Sequence, residues 1–262
     1  MASTKRVGTV TRGTTNPNRL RRVDRFIASL PVVKTQNAVV VDLGYGASPI
    51  TAVELRDRLL KVNPSVRVVG IEIEKDRVAR GLEIAEPGLY FLLGGFETPL
   101  PKGVDSADVI RAFNVLRQYD ERDVPAAWGL MLSRLSENGV LVEGTCNEIG
   151  RVSSWITLTK DGPKLFTVSL HLNSLERPSI VAERLPKALI HHNLPGEKIH
   201  DFLRALDLAW ATHAPLSTFG SLQRWLAVCE TVAAEGWPVV VNRKRWRLGE
   251  LSVDWNSVSP DA

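Results

Sequence analysis

The sequence predicts a doubly wound α/β protein, with a mostly parallel sheet, an antiparallel edge hairpin and a C-terminal helical extension. Three observations carry that expectation. Short apolar runs alternate with longer amphipathic stretches as far as Gly150, the pattern of strands covered on both faces by helices. A glycine-containing turn, Gly44-Tyr45-Gly46, separates the first run from the next helix. Beyond Gly150 two strand-like runs flank Lys160-Asp161-Gly162-Pro163, a turn signal that reads as a hairpin.

Taken in order, Leu20, Val23, Phe26 and Ile27 follow helical spacing, which predicts a leading helix over about 18–30, with Thr14-Thr15-Asn16-Pro17 offering capping and turn groups before it. Strands follow at 38–43, 66–73, 89–93, 107–113 and 139–143, with helices at 49–61, 75–85 and 124–135 between them. In the last of these helices Val124, Ala127, Trp128, Met131 and Leu135 share a face. The hairpin strands are placed at 152–158 and 165–172. Stripes of Phe202, Leu203, Leu206, Ala209 and Trp210, then of Leu222, Trp225, Leu226, Cys229 and Val232, predict helices over 196–212 and 219–235. Final strands are expected at 238–241 and 246–253. The expected organisation is a basic segment and leading helix (1–30), a sheet domain (31–172) and an extension packed on it (173–262).

Composition narrows the class. Hydrophobic residues make up 44% and charged residues 24% of 262 positions, as in a globular protein with a sizeable core. Two cysteines, Cys146 and Cys229, suggest neither a disulfide framework nor a metal cluster, and no run is long enough to span a bilayer; a cytoplasmic location is the expectation. The net charge of +4 is uneven. Lys5, Arg6, Arg12, Arg19, Arg21, Arg22 and Arg25 face Asp24 alone in the first 25 residues, an excess of +6 that leaves −2 for the rest. Such an end attracts phosphate or forms a solvated surface.

The most informative stretch is Val39-Val40-Val41-Asp42-Leu43-Gly44-Tyr45-Gly46-Ala47-Ser48-Pro49. A buried strand ends in an acid, glycines let the backbone approach a ligand, and Pro49 suits the first turn of a helix. At the next strand end Glu72 is placed where a carboxylate accepts hydrogen bonds from two ribose hydroxyls. A nicotinamide site would call for a third glycine at Pro49. Together, Asp42 to Gly46 and Glu72 resemble the motifs of the class I S-adenosylmethionine-dependent methyltransferases, whose sheet is Rossmann-like, over roughly 37–144. The resemblance implies S-adenosylmethionine as cofactor, with Gly44 and Gly46 along its methionine portion, Asp42 orienting its amino end, Glu72 on its ribose and Tyr45 between the glycines as a further cofactor contact. Leu92-Leu93-Gly94-Gly95-Phe96-Glu97 resembles the adenine-reading segment, in which Gly95 stands where an acid is common, so Gly94, Gly95 and Phe96 contribute by backbone or ring and Glu97 is a less direct contact. The segment 108–117 resembles the fourth-strand motif and makes Asn114 a cofactor or substrate ligand.

Methyl transfer needs orientation and exclusion of water, and no metal. For the acceptor, Arg117, Cys146, His191 and His192 are candidates, the histidines because 185–196 has the character of a lid. No residue is singled out as a catalytic base. A small-molecule acceptor has a slight preference, from a pocket lined by Trp155, Phe166, Trp210, Phe219 or Trp225. RNA methylation, with the basic end as the RNA contact and Phe26 or Tyr45 for stacking, is the first alternative. A noncatalytic protein that binds S-adenosylmethionine or nucleic acid is the second.

Overall fold

The computed structural model describes residues 6–261, so Lys5 of the basic end lies outside the described residues. It divides into two compact units. The first comprises Met1–Glu143, Glu148–Gly150 and Leu158–Gly162, and the second Gly144–Asn147, Arg151–Thr157 and Pro163–Ala262. The strands form a mixed sheet in the order 3-2-1-4-5-6-7-8.

In the first unit the chain runs through α1 (Arg21–Ile27), β1 (Val39–Leu43), α2 (Ile50–Leu60), β2 (Arg67–Glu72), α3 (Lys75–Leu82), β3 (Leu89–Leu93), β4 (Ala107–Phe113), α4 (Val124–Leu132) and into β5 (Leu135–Cys146). Every residue of β1 is buried, as expected of a central parallel strand covered on both faces. It lies between β2 and β4, with Val41 opposite Val69 and Ile110, and Asp42 opposite Gly70 and Arg111. The three parallel pairings among β1 to β4 bring their carboxyl ends to one edge, where ligands bind in open sheets of this kind.

A buried ion cluster ties α1 and α2 to this sheet. Arg111, with no exposure, contacts Asp24 of α1, Asp42 of β1 (2.6 Å) and the carbonyl of Thr51 in α2 (3.1 Å), and Arg58 closes the cluster on Asp24 at 2.8 Å. Full burial pushes the Asp24 carboxyl up to about 6, against the pull of Arg111 and Arg58.

Beyond β5, β6 (Val152–Thr159) and β7 (Gly162–Leu170) form the expected hairpin, and β8 (Glu250–Asp254) pairs antiparallel with β7. The helices are α5 (Lys187–Ile190), α6 (Lys198–Thr212), α7 (Ser221–Ala234) and α8 (Arg243–Trp246). Both predicted stripes face inward: Phe202, Leu206 and Trp210 on α6 and Trp225, Leu226, Cys229 and Val232 on α7 are buried. Arg224 lies 3.8 Å over the Trp210 ring.

Four expectations are corrected. The leading helix is shorter than predicted and begins behind Leu20 with no side-chain cap; Thr15 instead donates to the carbonyls of Gly13 and Tyr45. Leu135 opens β5 instead of extending α4, and β5 begins before residue 139. The valines at 239–241 form one isolated bridge, Val239 with Val253, because Asn242 then caps α8 through Arg245 N–H. That helix takes up the start of the strand expected at 246. Among the described residues no helix is long and apolar enough to cross a membrane.

Candidate cofactor-binding site

The turn after β1 depends on its glycines. Gly44 and Gly46 have φ of 72° and 88°, in the region that penalises a Cβ. A Cβ on Gly44 would meet Val115 at 2.7 Å, and one on Gly46 would meet Thr15 Oγ1 at 2.6 Å and the Gly13 carbonyl at 2.9 Å. The loop is held open by Glu72, which is 2% exposed. One carboxylate oxygen accepts from Gly46 N–H at 3.0 Å and the other from Ile73 N–H at 2.9 Å, with Arg77 Nη1 at 3.5 Å. Glu74 N–H approaches the same oxygen as Ile73 N–H, at 3.4 Å, so most of the roughly four acceptor positions of this carboxylate are occupied.

At the end of β3, Gly94 N–H donates to the Glu72 carbonyl at 3.0 Å, joining the two strand ends. Glu97 folds back so that one oxygen accepts from Gly95 N–H at 2.9 Å. Its other oxygen and the Phe96 N–H then make an adjacent acceptor and donor, engaged here by Val7: Val7 N–H reaches Glu97 at 2.8 Å and Phe96 N–H reaches the Val7 carbonyl at 2.9 Å. The Phe96 ring is buried and meets Tyr119 edge-on at 5.1 Å. Gly44, Glu72, Ile73, Phe96, Val115 and Tyr119 line a shallow recess together with Val7, Gly8, Thr9 and Thr11.

The other predicted residues are placed differently. Asp42 spends its carboxylate on Arg111 and on Thr51 Oγ1 at 2.7 Å, so it braces the loop from beneath. Tyr45 turns its ring into the packing beside Phe91, at 5.5 Å, and donates to the Arg77 carbonyl at 3.0 Å; it offers a ligand main chain only. Burial raises its phenol above the usual range. Asn114 follows β4 with φ of 61°, a sparsely populated conformation that clusters at binding sites. Arg117 lies in the short 3-10 turn after it.

Cys146, His191 and His192 belong to the second unit. There Cys146 is fully buried, His191 is exposed and His192 sits 3.5 Å from Glu197. Trp155, Phe166, Trp210 and Trp225 fill that unit's core, and Phe219 is 73% exposed. Ile73 and Tyr119 were not legible as lining residues, because they carry no motif, and Val115 was passed over within its motif in favour of Asn114. Glu97 announced itself by its charge, two positions beyond the usual place.

The parallel strand order, the left-handed glycine turn and the acid at the end of β2 together define the class I methyltransferase architecture. A family model described as a methyltransferase domain matches residues 34–194. The chain therefore belongs to the methyltransferase-domain family. No curated protein matches it in sequence. Solved structures that resemble it include the mitomycin 7-O-methyltransferase MmcR (20% identity, TM-score 0.38, covering 48% of this chain and 36% of that one). A Leishmania major S-adenosylmethionine-dependent methyltransferase matches at 22% identity and TM-score 0.37, covering 50% and 54%. The plantazolicin methyltransferase BpumL, in complex with S-adenosylhomocysteine, matches at 14% and 0.38, covering 49% and 47%. The chain thus spans between about a third and about half of the length of these proteins.

Proposed function

We propose that the chain binds S-adenosylmethionine at the carboxyl edge of β1 to β4 and directs its methyl group to an acceptor, with a small molecule preferred. The observation that carries this reading is the pairing of two complementary surfaces in one recess. Glu72 presents a carboxylate suited to vicinal hydroxyls. Phe96 N–H and Glu97 present the donor and acceptor that a purine edge requires.

The residues present fit such a cofactor. Gly44 and Gly46 bring main chain close to the methionine portion, and Glu72 holds the ribose. Phe96, Glu97 and Gly95 read the adenine, with Asn114 at the rim next to Val115. When bound, the sulfonium supplies an electrophilic methyl carbon. The chain's contribution is orientation and a dry cleft: the apolar wall of Ile73, Phe96 and Val115 excludes water, and Arg117, in the turn after Asn114, is the proposed contact for an anionic acceptor.

A small acceptor is supported by the part of the basic end that is spent on the chain's own carbonyls. Arg6 donates to the Ile73 carbonyl, Arg19 to that of Thr14 and Arg21 to those of Asn18 and Ile149, while Arg19 and Arg22 are only 9% and 8% exposed. Arg19 and Arg22 are thereby committed to the fold, while Arg6, Arg12 and Arg25 remain exposed. The aromatic-pocket argument for a small acceptor falls away, since four of those side chains are core. The proposed location is cytoplasmic. Incubating the protein with methyl-labelled cofactor and cell extract tests the reading: a discrete low-mass labelled product supports it, label in RNA supports the alternative acceptor, and no label despite cofactor binding favours a noncatalytic protein.

A further inference from the structure

The segment ahead of α1 does not simply pass near the cleft; it is bonded along its length to the groups that would read the cofactor. Arg6 reaches the Ile73 carbonyl at 3.2 Å, beside the ribose acid. Val7 engages Glu97 and Phe96 N–H. Thr9 N–H donates to the Tyr119 hydroxyl at 2.6 Å, and Arg12 N–H to Gln118 at 3.0 Å. The Thr11 carbonyl accepts from Arg77 at 3.0 Å, and the Gly13 carbonyl from Ala47 N–H at 2.9 Å. Resting on the cofactor reading above, we propose that residues 6–15 form an autoinhibitory strap whose Val7 peptide imitates the adenine edge, so that cofactor binding requires the 6–9 end of the strap to lift.

The imitation is specific. An adenine edge places an N–H donor next to a nitrogen acceptor, and the Val7 peptide places N–H and C=O against the same Glu97 carboxylate and Phe96 amide. The two occupants use the same hydrogen-bonding groups and exclude one another. A second observation is independent of the hydrogen bonds. Gly95 stands where an acid is common in the resembling family, and a Cβ built on it would overlap the Val7 carbonyl. The absence of a side chain at 95 is what seats the strap. The same fit recurs further along, where a Cβ on Gly13 would meet the Arg77 guanidinium at 2.7 Å and one on Gly46 would meet Gly13 O.

Competition of this kind lowers apparent affinity by the fraction of molecules with the strap lifted. Removing one hydrogen bond to a charged group is worth roughly tenfold in that equilibrium. V7P deletes the N–H that reaches Glu97 and leaves every residue of the loops in place. Calorimetric titration of the full chain with S-adenosylhomocysteine should then give a Kd roughly tenfold tighter for V7P than for the parent. Hydrogen exchange at Thr9 should speed up in V7P alone, and in the parent once S-adenosylhomocysteine is added. T9P, which loses the bond to Tyr119, is the second variant should V7P fail to fold, and should tighten the Kd in the same way, with exchange then read at the Val7 amide, which bonds Glu97. Equal affinity in parent and folded variants, with measurable binding in each, overturns the strap while leaving the cofactor reading intact. Slower exchange at Thr9 on adding S-adenosylhomocysteine also overturns it, because the segment would then be closing over the ligand. No binding by the parent or by any folded variant overturns both.

Discussion

Asp42 and Glu72 end neighbouring parallel strands and look interchangeable in the sequence, yet their surroundings are opposite. Asp42 faces the layer of α1 and α2, where Arg111, a full positive charge, and the Thr51 hydroxyl consume it. Glu72 faces the open edge, where its partners are the main-chain N–H groups of Gly46, Ile73 and Glu74, with the Arg77 guanidinium at 3.5 Å. A carboxylate satisfied by a buried cation is committed to holding the fold. One held mainly by backbone amides beside a recess, with its cation at the longer 3.5 Å, can exchange partners when a ligand arrives.

The comparison breaks first at Arg111. R111M leaves Asp24 and Asp42 buried without their shared cation, and removing one partner of a buried pair costs about 3–5 kcal/mol. Denaturant titration should show a loss of that size, or failure to fold; a loss under about 1 kcal/mol would mean that the cluster is not holding α1 to the sheet.

Glu143 on β5 sharpens the same contrast, being a fully buried acid with no hydrogen-bond partner at either oxygen among the described residues. Burial pushes it up to about 8. The folded state therefore keeps a proton that the unfolded chain has already lost, so its contribution is greatest in acid and declines as pH rises from the ordinary carboxyl range through about 8. E143Q should abolish that decline and be more stable than the parent at pH 9 by roughly 2–4 kcal/mol, with little difference near pH 4. Melting curves across pH that stay parallel would contradict this.

The smallest expected effect is at Tyr45. Y45F removes one hydrogen bond to the Arg77 carbonyl and should cost about 1 kcal/mol of stability, with cofactor affinity unchanged, since the ring faces away from the recess. A large loss of affinity would return Tyr45 to the ligand.

What the sequence disclosed follows from where the information sits. The strands β3 and β4 matched their predicted bounds because β-rich apolar runs are bracketed there by turn residues. Gly44, Gly46 and Glu72 stood out in the sequence because the turn after β1 depends on their side chains, or lack of them. The strap was invisible because its decisive contacts come from the main chain of Val7, Thr9, Thr11 and Gly13, which almost any residues would supply. The separation of Asp42 from Glu72 was invisible too, since it depends on Arg111, a charged residue inside a strand whose partner across the sheet only the register reveals.

The central claim is that Glu72, not Asp42, belongs to a cofactor site. Calorimetric titration of S-adenosylhomocysteine into the parent and E72A tests it most directly, run on V7P as well so that a closed strap does not mask binding. The expected result is saturable one-site binding that weakens by about 10- to 100-fold in E72A, the worth of hydrogen bonds to a charged acceptor, with the circular dichroism spectrum retained. Unchanged affinity in a folded E72A protein would contradict the assignment, and no binding in any of these proteins would contradict the cofactor site itself.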